Sequence, residues 1–185
     1  MQNPLVLDSV TQIKSNMKKN NKQQKNEAKQ QAATLRFQVA FKSKTAYPEM
    51  NEEVQTRLNQ ELEWFINNNF AKGLMDIKTI ADAARSQFEC RIGGDHGFLG
   101  GSAVGYALGL VGQDPISAGK TTPEFSAEAA PTCLNVSFHL DPEKRNQVVE
   151  WAADHFKSPA MTRMGVFIIK LGNVIVEFHR NLKNV

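Results

Sequence analysis

Few residues in this sequence have the types and spacing that catalysis or metal binding requires. Acidic residues neighbour histidines at three places: Asp95–His96, His139 with Asp141, and Asp154–His155. None of these pairs has the ligand spacing of a zinc site, and the two cysteines, Cys90 and Cys133, are far apart in the chain. No nucleophile, base and acid form a catalytic triad. We therefore expect no metal and no cofactor, and we expect both cysteines to behave as small buried apolar residues.

A glycine-rich run over residues 93–110 is the segment where close backbone contact is expected. Each interior glycine destabilises a helix by about 1 kcal/mol relative to alanine. So many glycines are therefore expected only where another group approaches the backbone closely. A ligand phosphate, a nucleic-acid strand or another packed element would each lie close against such a backbone. The run matches neither nucleotide-binding fingerprint, but its amides and the Ser102 hydroxyl are enough for an anion-binding nest. An enzyme site around Asp95, His96 and Ser102 is a further alternative.

Positive charge is concentrated in the amino-terminal quarter of the chain. The 185 residues have a net charge of +3, yet residues 1–45 carry nine lysines and arginines against two acidic residues, leaving −4 for the rest. A basic arm on a mildly acidic body indicates a polyanionic partner such as nucleic acid, although a solubilising tail has the same composition. We expect an arm over residues 1–33, helical or disordered, and a single α+β domain over residues 34–185.

No segment has the properties of a membrane span or of a secretory signal. The uncharged run over residues 98–113 is sixteen residues long, shorter than the roughly 20 that a bilayer requires. Cysteines without a disulfide framework favour a reducing compartment. The sequence therefore predicts a cytoplasmic protein with no membrane partner.

Hydrophobic periodicity predicts the order of the elements. Alternation with a period of two predicts strands over residues 34–42, 133–140, 166–171 and 174–179, and Gly172-Asn173 predicts a hairpin turn between the last two. Helical spacing predicts helices over residues 51–66, 75–88 and 103–110, and another that begins at Asp141-Pro142. This order predicts an α+β fold, with an antiparallel or mixed sheet of about four strands and helices packed on one face. The other face of the sheet would carry Arg36, Lys42, Asn135, Ser137 and His139.

The residues predicted to contact nucleic acid are the basic residues near the amino terminus, three residues of the glycine run and one lysine beyond it. They are Lys14, Lys18, Lys19, Lys22, Lys25, Arg36, Lys42, Lys44, His96, Gly101, Ser102 and Lys120.

The second half of the glycine run resembles the palm of the bacterial replicative DNA polymerase III alpha family. Residues 101–110 (GSAVGYALGL), with Asp114-Pro115 after them, are similar to the family's G-R-G-S-x-x-G-S-x-V-A-Y-x-L-G-I and the D-P that follows it. Residues 57–62 (RLNQEL) are similar to its R-L-x-x-E-L helix, and residues 145–156 resemble the helix after its catalytic strand. The resemblance covers about residues 50–160 in consistent order.

The departures from this family fall at the positions of its chemistry. His96 stands where the family has an arginine, and Phe98 stands where it has the following serine. The family's paired aspartates, P-D-x-D, fall on Cys133 and Asn135. Two-metal phosphoryl transfer needs carboxylates that hold the ions, and a thiol and an amide are poor magnesium ligands. The resemblance therefore implies a degenerate palm fragment without its metal site, and we predict that the chain is not an enzyme.

These observations favour a non-catalytic nucleic-acid-binding protein with a palm-like core and a basic arm. The alternative is a self-assembling structural subunit of viral or mobile-element type, in which the glycine-rich helix and the arm make subunit contacts. The sequence leaves open whether the partner is DNA or RNA, and whether a protein partner or a homo-oligomer also forms.

Overall fold

The computed structural model describes residues 4–93, 97–120, 125 and 131–180, with the side chains of residues 4–16 and of Lys18 outside the description. Within these ranges the chain forms five α-helices and five strands, which confirms the predicted α+β class, with one strand more than the sheet of about four that was expected. The helices are α1 (Pro4–Ala46), α2 (Glu52–Asn67), α3 (Ala71–Ser86), α4 (Ala103–Ala107) and α5 (Arg145–His155). The strands are β1 (Ile92–Gly93), β2 (Leu134–Leu140), β3 (Met161–Arg163), β4 (Val166–Leu171) and β5 (Val174–His179).

The strands form one mixed sheet in the order β1-β2-β5-β4-β3. Strands β2 and β5 run parallel, and the other neighbouring strands run antiparallel. The predicted hairpin between β4 and β5 is confirmed: Gly172 has φ +62° at its turn, a conformation that glycine adopts without strain. The parallel pair places β5, the last strand in sequence, beside β2 in the middle of the sheet.

One face of the sheet is buried under helices. In β2, Leu134, Val136 and Phe138 are fully buried, whereas Asn135 is exposed on the other face. Helix α3 lies directly on this covered face, because a Cβ atom added to its Gly73 would overlap the side chain of Val174 in β5. The period of two along β2 therefore separates a core face from a polar face, as in any half-buried strand.

The strand predicted over residues 34–42 is wrong, since these residues belong to α1. Leu35 and Val39 are buried, while Phe37 and Phe41 are 66% and 60% exposed on the opposite side of the helix. In a strand all four side chains would share a face, but in a helix residues four apart share one. Four alternating apolar residues therefore also form two i,i+4 pairs on opposite sides of a helix. Here the helix that precedes residue 34 continues through the run, so the residues are helical. Arg36 and Lys42 consequently lie on α1 and not on the sheet.

The predicted helix boundaries agree best where a capping residue is present. Helix α2 begins as expected, because the side chain of Asn51 accepts a hydrogen bond from the amide of Val54 at 2.9 Å. Helix α5 begins at Arg145 and not at Pro142, since the carbonyl of Asp141 accepts from the amides of Lys144 and Arg145 in a preceding turn. Strands β1 and β3 have two and three residues, too few to show a period.

No helix in the described part of the chain is both long enough and apolar enough to span a bilayer.

Candidate functional site

The glycine-rich run lies against the edge of β2. After β1, a 3₁₀ helix over Gly97–Gly101 follows this edge. Gly97 has φ +60°, and a Cβ atom added to it would lie 2.9 Å from the carbonyl oxygen of Asn135. Of the three explanations for the glycines, a packed element is therefore what meets the backbone at Gly97.

Helix α4, the glycine-rich helix, packs inside its own chain. Ala103 and Val104 have no exposed surface, and a Cβ atom added to Gly105 would lie 2.9 Å from a methyl carbon of Val111. The predicted helix over residues 103–110 ends at Ala107, and Gly109 follows with φ +72°. The surface that the structural-subunit hypothesis assigns to contacts between copies is used within the core.

A buried carboxylate holds the amino-terminal end of α4. Glu61 of α2 is 1% exposed, and its Oε2 accepts hydrogen bonds from the Ser102 hydroxyl at 2.7 Å and from the Val104 amide at 3.0 Å. The same hydroxyl accepts from the Gly105 amide at 2.9 Å, which makes Ser102 the N-cap of α4. Ser102, a predicted contact to nucleic acid, is fully buried. Its hydroxyl therefore serves the fold, which corrects its assignment as a ligand contact.

Arg57 connects this carboxylate to the backbone around the glycine run. Its Nε lies 3.0 Å from Glu61 Oε1, and its two terminal nitrogens donate to the carbonyls of Gly101 and Lys120, each at 2.6 Å. Arginine suits this position because its fixed fork of donors satisfies several acceptors at once. The R-x-x-x-E spacing of α2 and the Gly-Ser step of the glycine run are thus two sides of one hydrogen-bonded network.

A polar cluster lies on the face of the sheet that the helices leave open. Ser137 pairs in register with Glu177, and its Oγ lies 3.4 Å from Glu177 Oε2. The same oxygen lies 3.2 Å from Nε2 of His179, whose ring stacks on His139 at 4.7 Å. Sequence reasoning found Ser137 and His139 but missed Glu177 and His179. Their alternation within β5 was visible, but the pairing of β5 with β2 was not.

The positions matched to the family's paired aspartates do not form a magnesium site. Cys133 is half-buried just before β2, and Asn135 is exposed within it. Neither supplies the anionic oxygen that magnesium prefers, and Glu177 is a single carboxylate one strand away. In the described part of the chain, no three His, Cys, Asp or Glu side chains come together in a metal-binding arrangement.

The predicted basic contacts lie along α1. Lys19, Lys22 and Lys25 are exposed, and no ion pair holds them among the residues that the structure describes. Lys42 and Lys44 are exposed near the end of the same helix. Lys14, Lys18 and His96 were also predicted, and their side chains lie outside the described residues.

Two further predicted cations have partners. Arg36 forms an exposed ion pair with Glu63 of α2 at 2.6 Å, so its charge is partly used. Lys120 is exposed beside the glycine run, where its Nζ lies 3.4 Å from the carbonyl oxygen of Gly100. The structure thus brings Lys120 and Gly101 together, because Arg57 donates hydrogen bonds to the backbone carbonyls of both.

The Asp114-Pro115 step closes a turn beside a cleft of ≈ 400 Å³. Asp114 accepts hydrogen bonds from the Tyr47 hydroxyl at 3.1 Å, from the Ile116 amide at 2.9 Å and from Ser117. Burial opposes ionisation of Asp114, but hydrogen bonds from Ser117, Ile116 and Tyr47 outweigh it and lower the pKa of the carboxyl. Burial and the Asp114 charge raise the pKa of Tyr47. This step therefore fixes the end of α1 against the segment after α4.

A known protein family matches most of the chain. The family described as the bacterial DNA polymerase III alpha NTPase domain matches residues 25–174. The chain belongs to this family. The match confirms, at the level of the family, the resemblance noted over residues 50–160, and it extends from the exposed part of α1 to the first residue of β5.

A curated relative within the polymerase III alpha family supports the same relationship. The DNA polymerase III subunit alpha of Mycobacterium leprae (strain TN) is 28% identical over 126 residues, which are 67% of this chain and 10% of the relative. The chain thus spans about a tenth of the length of that protein. The family and this relative are both named for a polymerase, which is an enzyme. Our prediction that the chain is not an enzyme is therefore wrong.

Proposed function

We propose that this chain is a nucleic-acid-binding domain of the DNA polymerase III alpha family and that it holds a phosphate backbone along the exposed lysines of α1. One observation carries this proposal: lysines 19, 22, 25 and 29 all project into solvent from α1, and no described ion pair neutralises them. Free cations in a row are the usual means by which proteins bind nucleic-acid phosphates without regard to sequence.

The spacing of these lysines places three of them on one side of the helix. Lys25 lies three residues after Lys22, and Lys29 lies seven after it, so all three share a face. At 1.5 Å per residue the row is about 10 Å long. Like charges at this spacing destabilise a helix by a few tenths of a kcal/mol, and a polyanion that neutralises them removes that cost.

We further propose that β2 is the counterpart of the palm strand of the polymerase family. The support is the order of the motifs along the chain and the position of β2 in the fold. Its exposed Asn135 and half-buried Ser137 lie on the open face of the sheet, and the glycine run with Lys120 lies at the edge of the same strand. A nucleic acid that crosses this face along β2 would meet the side chains of Asn135 and Ser137 without a covering helix.

Fluorescence anisotropy with labelled oligonucleotides tests the lysine row. The probes are oligothymidine and a mixed-sequence duplex, each about 20 units long, titrated at about 50 and 200 mM salt. Replacing Lys22, Lys25 and Lys29 together by glutamine is expected to weaken binding to both probes. Since each lost phosphate contact removes about 0.9 from the salt slope for a duplex and about 0.7 for a single strand, the slope should fall by roughly 2 to 3.

A charge-matched control is available on the body of the protein. Lys72 and Lys157 are exposed and Lys144 is half-buried; they lie on α3 and at the two ends of α5, away from the open face of the sheet. Replacing these three by glutamine changes the net charge equally and is expected to leave the affinity within about twofold, because long-range effects are screened beyond about 10 Å. Absence of binding by the natural protein at low salt, or equal losses in both triple variants, overturns the proposal.

A further inference from the structure

We infer that the nucleic acid held along α1 is single-stranded and that its bases stack on Phe37 and Phe41. This inference rests on the proposed function and specifies the class of nucleic acid. It starts from two phenylalanines that take no part in the core of the fold.

The two rings form an exposed aromatic platform. Phe37 is 66% exposed and Phe41 is 60% exposed. Their centroids lie 6.3 Å apart, and the ring planes differ by 12°. Other large aromatic side chains of the helices pack inward: Phe65 and Phe70 have almost no exposed surface. A pair of nearly parallel rings that faces solvent leaves a π surface free for a planar ligand.

The surroundings of this platform on α1 are polar and cationic. Lys44 lies seven residues after Phe37, and Gln30 lies seven residues before it, so both share its face of the helix. Lys19 lies eighteen residues before Phe37, which is five full turns at 3.6 residues per turn. All three are exposed, as are the residues between Lys19 and Gln30. This face therefore has aromatic rings near one end, amide groups in the middle and an ammonium group beyond each side.

This combination favours a single strand over a duplex. Proteins that bind single strands without sequence preference pair aromatic side chains, which stack on bases, with cations that follow the backbone. A base offers its π surface only when it is unpaired and unstacked, whereas a duplex covers it. The lysine row alone would serve both forms, and the two rings add a contact that only the single strand makes.

The same features disfavour a protein partner. A helix that docks in an apolar groove continues its apolar positions over several turns, but the turns before Phe37 on this face carry Gln30 and Lys19. Two phenylalanine side chains bury at most about 150–250 Å² each, far below the roughly 800 Å² per partner of a stable interface. The exposed apolar area is sufficient for bases and too small for a protein surface.

The test uses the full chain and the oligothymidine and duplex probes named above. Replacing Phe37 and Phe41 together by alanine is expected to weaken oligothymidine binding by about tenfold or more, since base stacking on an aromatic contributes measurably for each base. Duplex affinity should change by less than about twofold. A variant with both residues replaced by leucine keeps apolar surface but loses the rings, and it is expected to behave like the alanine variant. Met164→Ala, an exposed apolar residue in the turn between β3 and β4, is the matched control and should bind as the natural protein does.

The outcomes separate this inference from the proposal on which it rests. If the lysine variant weakens binding but the alanine variant does not, the inference is overturned and the proposed function stands. Retained affinity in the leucine variant also overturns it, because apolar contact would then replace stacking, as would an equal loss for single strand and duplex. If the natural protein binds neither probe at low salt, the proposed function fails first. Circular dichroism at each step checks that α1 is intact, and since both rings are exposed the variants are expected to fold.

Discussion

The carboxylate of Glu61 accepts the hydroxyl hydrogen of Ser102 at 2.7 Å, across forty-one positions of sequence and without contact with solvent. Because Arg57 contacts the other oxygen of the same carboxylate, one buried acid joins α2, the glycine run and the start of α4. A buried charge is tolerated only when its lone pairs are satisfied, and here the two oxygens share an arginine, a hydroxyl and an amide.

Removal of this carboxylate is expected to be among the most destabilising changes in the chain. Glu61→Ala removes the buried carboxylate that Arg57, the Ser102 hydroxyl and the Val104 amide all contact, and it should lower the free energy of unfolding by about 3–5 kcal/mol. Glu63→Ala, two residues further along α2, removes an exposed partner of Arg36 and should cost no more than about 1 kcal/mol. Urea unfolding measures both, and similar costs for the two variants would contradict the network.

Ser102→Ala tests the other end of the same hydrogen bond. The variant loses the N-cap of α4 and a donor to Glu61, and we expect a loss of about 1–3 kcal/mol in the free energy of unfolding. Combined with Glu61→Ala, the cost should be less than the sum of the single costs, because the two groups contact each other. Strict additivity in this double-mutant cycle would show that the two side chains do not interact.

Alanine variants of two glycines with nearly the same φ distinguish the cost of backbone strain from the cost of a steric clash. Gly97 and Gly119 have φ +60° and +63°, but within the described part of the chain only Gly97 has an atom within 4 Å of the position of an added Cβ. Each alanine variant carries the cost of a left-handed conformation, about 1 kcal/mol. Gly97→Ala should cost about 1–3 kcal/mol more, since it must also displace the Asn135 carbonyl. Thermal or urea unfolding of the pair measures the difference, and equal costs would remove the argument that β2 requires glycine there.

The helical assignment of residues 34–42 is tested by alanine substitutions two positions apart. Leu35→Ala should lower the free energy of unfolding by about 2–5 kcal/mol because its side chain is buried in the core. Phe37→Ala should change it by no more than about 0.5 kcal/mol because its ring faces solvent. In a strand the two side chains would share a face, so comparable losses would favour the strand over the helix.

Acidification is expected to weaken the contact between Asp114 and the end of α1. The hydrogen bonds of Asp114 lower its pKa in the folded protein, so the stabilisation is present above the unfolded pKa and is lost as the pH falls through the folded one. The raised pKa of Tyr47 acts at the other end of the scale: its stabilising contribution is present below the unfolded pKa of tyrosine and is lost as the pH rises above it.

Unfolding measured from acid to alkaline pH checks this expectation. Asp114→Asn should reduce the fall in stability on acidification, and Tyr47→Phe should reduce the fall at alkaline pH. Glu143→Gln changes an exposed carboxylate, and its stability is expected to fall on acidification as much as that of the natural protein. If the stability of Asp114→Asn fell on acidification as much as that of the natural protein, the role assigned to this carboxylate would be contradicted.

Elements with a local signal were predictable from the sequence. Strands β2, β4 and β5 show a period of two, Gly172-Asn173 permits a tight turn between the last two, and Asn51 caps α2. Each signal depends on residues close in sequence, which is why it survives without knowledge of the rest of the fold. Residues 34–42 failed the same approach because four alternating apolar residues satisfy the spacing of a strand and of two helix faces.

The candidate sites depended more on contacts between distant segments. Lys19, Lys22 and Lys25 were found from charge alone, and they remain predicted contacts to nucleic acid. Glu177 was missed because its proximity to Ser137 follows from the parallel pairing of β5 with β2, and strand order has no local signal. Ser102 was assigned to a ligand because its hydroxyl has the same donor and acceptor groups whether it faces a phosphate or Glu61.

The sequence by itself determined the α+β class, the polar and apolar faces of β2, the basic character of the chain before residue 45 and the relationship to the polymerase family. These follow from composition, period and the order of motifs, all of which are properties of neighbouring residues. Only the tertiary structure decided that Phe37 and Phe41 face solvent from a helix, and that the glycine run packs on β2. It also decided that Ser102 is held by Glu61. Burial is a property of the whole fold, because a side chain is removed from water only when a distant segment packs over it.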